Sequence, residues 1–161
     1  MDDSNFTFKG QRRDETVKKV IRRHPIVFFW PLFQSVLVLA LAVVVFVFYG
    51  FNAVFYIVAV LALLFIFSRI FRAYFIYSNS FCLITNQRVI NVDQRNFFNR
   101  RITETDYSKI QDVTNSTSGA VGTILEVGEI VIQTAGTQNQ LIIKFIPNPY
   151  QVQQEITKNI K

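Results

Sequence analysis

Cysteine and histidine are almost missing from this chain, which has one of each, Cys82 and His24, in 161 residues. A single cysteine excludes an internal disulfide and fits a reducing compartment. With no second His or Cys, a zinc cluster is excluded by ligand count. Phosphate-binding loops, dinucleotide fingerprints and G-x-S-x-G elbows are also missing from the sequence. Cys82 lies in an apolar run and reads as a buried, inert thiol. His24 stands beside Pro25 and reads as a headgroup-facing imidazole rather than a general base. Glu126 and Glu129, Asp106 and Asp112 read as solvated carboxylates. No catalytic, cofactor-binding or metal-binding residue is assigned, and the expectation is a non-enzyme.

The longest absence is of charge. Not one Asp, Glu, Lys or Arg occurs between Ile26 and Phe67. A helix rises about 1.5 Å per residue and the bilayer core is about 30 Å thick, so roughly 20 apolar residues cross it. The run holds two such spans, about 26–49 and 53–70, the second continuing to about residue 77. Tyr49-Gly50-Phe51-Asn52 breaks it with turn-forming residues. A buried hairpin of a soluble core would need a much larger protein around it, and a signal peptide would be shorter.

The formal net charge is +6. Lys9, Arg12, Arg13, Lys18, Lys19, Arg22 and Arg23 precede the first span, Arg69 and Arg72 sit at the end of the second, and the turn between the spans has no base. The positive-inside bias predicts a multi-pass protein of the cell (inner) membrane with both termini cytoplasmic. Lys18, Lys19, Arg22, Arg23, Arg69 and Arg72 are the candidate headgroup anchors, each worth about 1 kcal/mol near anionic lipid. Past Arg72 the bases are scattered and no RNA-binding aromatic signature occurs, so nucleic acid is not an expected partner. Residues 1–25 form a basic leader. Val17, Val20, Ile21 and His24 fall at helical spacing, so Asp14–Arg23 reads either as an interfacial helix or as a solvated leader.

From Phe81 the period changes. "FCLIT" and "RVINV" are two short apolar runs joined by Thr85-Asn86-Gln87, a hairpin signal. "RRITETDY", "IQDVTNSTS", "GAVGTILEVG", "EIVIQT" and "QLIIKFI" read as further strands, with a turn at Ala135–Asn139. In the last strand Leu141, Ile143 and Phe145 share one face and Lys144 takes the other. Such spacing argues a small antiparallel sandwich or barrel over residues 78–161. Asn148 as N-cap, Pro149 at the first position and Gln151 completing a capping box open a closing helix. Its Val152, Ile156 and Ile160 form one stripe, and Lys158 and Lys161 lie in its last turn.

These segments in this order resemble the bacterial pleckstrin-homology-like family of YdbS-type membrane-flanked proteins. Leu83, Thr85, Asn86 and Arg88 match its Leu-x-Thr-(Asn/Asp)-x-Arg hairpin. Ile110 and Val113 match its I-x-x-V run, and Gly128, Ile130, Ile132, Thr134 and Gly136 its G-x-I-x-I-x-T-x-G stretch. "DQRNFFNRR" departs from the family's Gly-containing turn. The resemblance covers about residue 14 to the end. It implies a two-helix transmembrane hairpin followed by a small, mostly-β PH-like barrel of seven strands, capped by one C-terminal α-helix, with no defined activity. Phosphoinositide-binding relatives carry several bases around the first hairpin loop. Here Thr85-Asn86-Gln87 is backed only by Arg88, so that ligand is not carried over.

The function expected is a membrane-anchored adaptor at the inner leaflet that binds a membrane or cytoplasmic protein. A reader of anionic lipid or envelope stress, and a subunit of an oligomeric channel or transporter, remain as alternatives, and homo-oligomerisation is left open. The candidate contact residues are Arg95, Phe97, Phe98, Arg100 and Arg101, in a loop between two strands. Either both phenylalanines fold back onto the barrel, or they form a tip that meets a bilayer or a partner pocket. A cysteine at Asn52 is expected to react with an impermeant maleimide outside intact cells, and one at Thr137 is not. The opposite pattern would invert the topology.

Overall fold

The computed structural model describes residues 8, 10–135 and 140–160; Lys9, Lys161 and residues 136–139, with Gly136 and Thr137, lie outside them. The chain forms two units, 25–78 and 1–24 with 79–161.

The first unit is a helical pair. A single 3₁₀ turn, Pro25–Phe28, leads into α1 (Phe29–Tyr49), and α2 follows (Ala53–Ser78). Both are long and apolar enough to cross a membrane. Gly50 turns the chain with φ 60°, and Asn52 Oδ1 accepts the N–H of Phe55 (3.1 Å), capping the start of α2. Only Ser35, Ala42 and Ala62 are buried within the pair, the small residues that let two helices approach closely. Most of the large apolar side chains face outward. Phe46, Phe51 and Phe55 cluster at the turn, and Phe28 meets Tyr77 at the other end.

The second unit is two antiparallel sheets. β1 (Val17–Arg22), β2 (Phe81–Thr85), β3 (Arg88–Asn96) and β4 (Asn99–Asp106) lie in that order in one. β5 (Ile110–Ser116), β6 (Val127–Thr134) and β7 (Gln140–Pro147) form the other. The inner faces share a core in which Ile84, Val89, Ile130, Ile132 and Ile146 are sealed off. α4 (Pro149–Thr157) lays Val152 and Ile156 onto that core, and Ile160 packs beside them. This is the mostly-β, PH-like fold with a C-terminal helix that the family resemblance implies.

Four local expectations are corrected. Residues 17–22 form a strand, not a helix or a free leader. Val17, Val20 and Ile21 satisfy helical spacing, but their partners are in β2, where Arg22 faces Phe81 and Val17 faces Thr85. A pairing this remote in sequence overrides local propensity. It also moves the domain boundary, because the leader belongs to the β unit. On the outer face of the sheet Val17 of β1 joins Leu83, Ile90 and Val92 in a second buried cluster, against which Phe8, Val20 and Phe81 pack. "FCLIT" and "RVINV" are apolar at successive positions because both of their faces are covered.

"GAVGTILEVG" is not a strand but a short helix, α3 (Gly119–Ile124), entered at a Gly119 φ of 75°. Gly128 follows where β5 crosses so closely that a Cβ would lie 2.4 Å from the Ser116 carbonyl.

Phe145 does not share the buried face of Leu141 and Ile143. The register slips between Gly128↔Ile146 and Ile130↔Ile143, so β7 carries an extra residue. Phe145 absorbs it at φ 58°, turns outward, and Ile146 takes the buried place. A left-handed, non-glycine residue of this kind costs about 1–3 kcal/mol.

Asn148 occupies the N-cap position of α4, but at φ 48° its side chain makes no capping bond, so the expected box with Gln151 does not form. Asparagine's tolerance of that conformation explains its presence.

Ile156 has no exposed surface. Ile156→Asp is expected to destabilise the β unit by about 4 kcal/mol or more, since an unpaired charge would be buried. Limited proteolysis of the full chain in detergent should then digest residues 79–161 while the helical pair survives.

Candidate functional site

The polar turn between β2 and β3 is densely bonded. Arg88 Nε and Nη2 each lie 2.9 Å from Glu15, one on each carboxylate oxygen, with side-chain exposures of 6% and 0%. Arg88 Nη1 meets Glu104 at 2.5 Å, and Nη2 also donates to the Gly10 carbonyl. Thr85 Oγ1 accepts the N–H groups of Gln87 and Arg88 and lies 3.0 Å from Glu15 Oε1. Tyr107 donates its hydroxyl to the Thr85 carbonyl (2.8 Å). Asn86 holds the backbone of Asp14 and Thr16 through its side-chain amide, and Gln87 donates to the Arg13 carbonyl.

The hairpin motif is therefore a clasp for residues 10–16, and its polar groups are engaged within the protein. Thr85–Gln87 also joins the second strand to the third, so it is not the first hairpin loop of the barrel. The connection between the first two strands is the helical pair itself. Burial alone would push the Glu15 carboxyl up. Hydrogen bonds from Arg88, the Arg12 N–H and Thr85, with the Arg88 charge, outweigh it and hold the group below the usual carboxylate range. Burial pushes the Cys82 thiol up to about 12 and raises the Tyr107 hydroxyl as well.

β4 is paired on one side only. Its outer edge borders a cleft of about 430 Å³ whose far wall includes Thr134, Gln140 and Leu141. The charges on the cleft largely cancel: Arg12 bonds Asp106 at 2.7 Å, Lys109 is 4.0 Å from Asp106, and Glu104 is held by Arg88. What the cleft offers is an exposed strand edge rather than a charged pocket. Among the described residues no group of three His, Cys, Asp or Glu side chains could hold a metal ion.

The candidate contact residues come together at the β3–β4 hairpin, where Gln94 faces Arg100, Asp93 faces Arg101 and Asn96 faces Asn99. Phe98 is 102% exposed and Phe97 40%, so the pair does not fold back into the core. Arg95 lies 3.4 Å from Asp93. The candidate headgroup anchors are divided. Arg22 and Arg23 stand at the end of β1, where Arg23 pairs with Asp93, whereas Lys18 donates to Asn159 beyond α4. Lys19 is on β1 between them, and Arg72 is on α2. Arg69 bonds Gln34 of α1 instead of reaching outward, and its Nε has no partner among the described residues.

The sequence did not single out the exposed apolar residues Val121, Ile124 and Leu125 of and after α3, Phe145 at the bulge, or Tyr150 in α4. Gly119 and Gly122 mark the α3 segment, but no local signal marks the bulge.

A family model described as "Bacterial PH domain" matches residues 34–160. Two solved structures are similar. One is a DUF1696 family protein with a pleckstrin-homology domain from Shewanella loihica PV-4, at 16% identity and a TM-score of 0.41 over 51% of this chain and 71% of that one. The other is a pleckstrin homology domain from Shewanella amazonensis SB2B, at 15% and 0.42 over 51% and 67%. No curated protein matches.

Glu15→Ala strands the buried Arg88 charge and is expected to cost about 3–5 kcal/mol. The Glu15 value is lowered from its ordinary 4.5, so the clasp stabilises the protein at neutral pH. That contribution disappears as pH falls through the lowered value. Thermal melts between pH 7 and pH 3 should show the wild type losing its advantage over Glu15→Ala at the acid end.

Proposed function

The chain belongs to the bacterial PH domain family, and from that premise we propose that it is a non-enzymatic adaptor anchored in the inner membrane, presenting its β unit to protein partners on the cytoplasmic side. The observation that carries the reading is the pairing of β1 with β2. These neighbours in one sheet lie on either side of the helical pair in sequence. Two crossings return the chain to the face it left, so a sheet built from both sides of the pair fits a two-span anchor. The bases before and after the helices, against a turn with none, favour the cytoplasmic face. Tethering at two points keeps the β unit within a few residues of the membrane, which raises its effective concentration for membrane-bound partners.

The partner surface in this reading is the outer edge of β4 and the cleft beside it. A strand paired on one side can accept an extended peptide through main-chain bonds. Its mixed charges favour a polypeptide over a small anion.

A photo-crosslinking residue at Thr103, on the cleft, is expected to give a discrete adduct in native membranes, while one at Thr157, on the exposed side of α4, is not. Absence of adducts at Thr103, Thr105 and Arg101 alike would remove the cleft as a partner surface.

A further inference from the structure

We propose that the end of the β unit from which both connections to the helices depart is a seat for an anionic phospholipid surface, with Phe97, Phe98 and Ile124 entering the interfacial layer and Arg95, Arg100 and Arg101 meeting lipid phosphates. The proposal rests on the reading that the helices span the bilayer.

Strand register defines this end. One row of the first sheet runs Arg22–Phe81–Val92–Ile102. Past that row, β1 reaches the start of the helical pair at Pro25, and β2 begins just after α2 ends at Ser78. The β3–β4 hairpin continues the same way from Val92 to Asn96, about 13 Å at the rise of a strand. Its tip therefore projects in the direction in which the chain leaves for the helices.

The second sheet marks the same end. The His24 N–H donates to the Phe145 carbonyl at 2.7 Å, fixing the last residues of β7 beside the departing β1. Ile146 pairs with Gly128, and the Asn148 N–H donates to the Glu126 carbonyl, so α3 and the start of α4 lie there too. Ile124 is 79% exposed, and Tyr150 and Phe145 are also exposed. Exposed large apolar side chains thus gather at one end of an otherwise well-buried domain, the pattern that marks an interaction surface.

Charge favours lipid as the occupant. On the first-sheet side Arg22, Arg23, Arg95, Arg100 and Arg101 face a single carboxylate, Asp93. The second-sheet side carries Lys144 with Glu126 and Glu129, so headgroup pairing belongs to the hairpin and apolar insertion to α3. Aromatic and aliphatic side chains among arginines suit the water–lipid boundary. Phe145 adds a separate observation: a bulky residue held at φ 58° so that its ring faces out is strain kept at a surface.

The test uses the full chain in liposomes. Single cysteines at Phe98→Cys, Ile124→Cys and, at the opposite end, Lys109→Cys carry an environment-sensitive fluorophore, with buried Cys82 left in place. Lipids bearing a nitroxide near the headgroup should quench the labels at 98 and 124 and spare the one at 109. Phosphatidylglycerol vesicles should give stronger quenching at 98 than phosphatidylcholine vesicles. In the former, changing Arg95, Arg100 and Arg101 to Gln should reduce the seated-to-unseated ratio about fivefold per arginine. Quenching at 109 instead, or at none of the three, overturns the seat. Equal quenching at 98 in both lipids and in the arginine variant overturns the headgroup role. Resistance to carbonate extraction is measured in parallel. If it holds while 98 and 124 stay unquenched, the seat alone fails; if it is lost, the anchoring reading fails with it.

Discussion

The pairing of β1 with β2 is the constraint on which the rest of the molecule depends. Antiparallel neighbours are usually joined by a few residues, because a long loop costs closure entropy before its ends meet. Here the connection is a pair of long apolar helices, and each side of it supplies a strand to one sheet. If the helices cross the bilayer, they must do so an even number of times, and the folded domain and its anchor are tied at two points rather than one.

That arrangement would be fragile if β1 were held by its six residues alone. The clasp at Glu15, Arg88, Thr85 and Asn86 secures the segment before it, Val17 joins the outer apolar cluster of the sheet, and Phe8 packs against that cluster. The bidentate ion pair is buried and fully bonded, the condition under which such a pair avoids a heavy desolvation cost. In the sequence its residues read as a plain polar hairpin turn. In the structure they are occupied with holding the leader, which moves attention to the other end of the domain.

At that end the surface changes character. The clasp end is polar and closed, while the end leading to the helices exposes rings and aliphatic side chains with arginines beside them. The cleft along β4 lies between, nearly neutral and bounded by a strand edge.

The helices were legible because length and lack of charge are local facts: 42 residues without an Asp, Glu, Lys or Arg need no tertiary information to be read as two spans. The strands from Phe81 onward and the stripe of α4 were legible for the same reason, since short apolar runs, alternation and a period of four are written in neighbouring residues. β1 was not, because Val17, Val20 and Ile21 fit a helix equally well and the partner that decides lies about 60 residues away, across the helical pair. The outward turn of Phe145 was not, because one extra residue in β7 reverses which side chain faces the core, and only pairing with β6 reveals it. The Phe97–Phe98 tip was visible as an oddity. That it stands at the end where the chain leaves for the helices is a property of register, and register exists only once the sheet has formed.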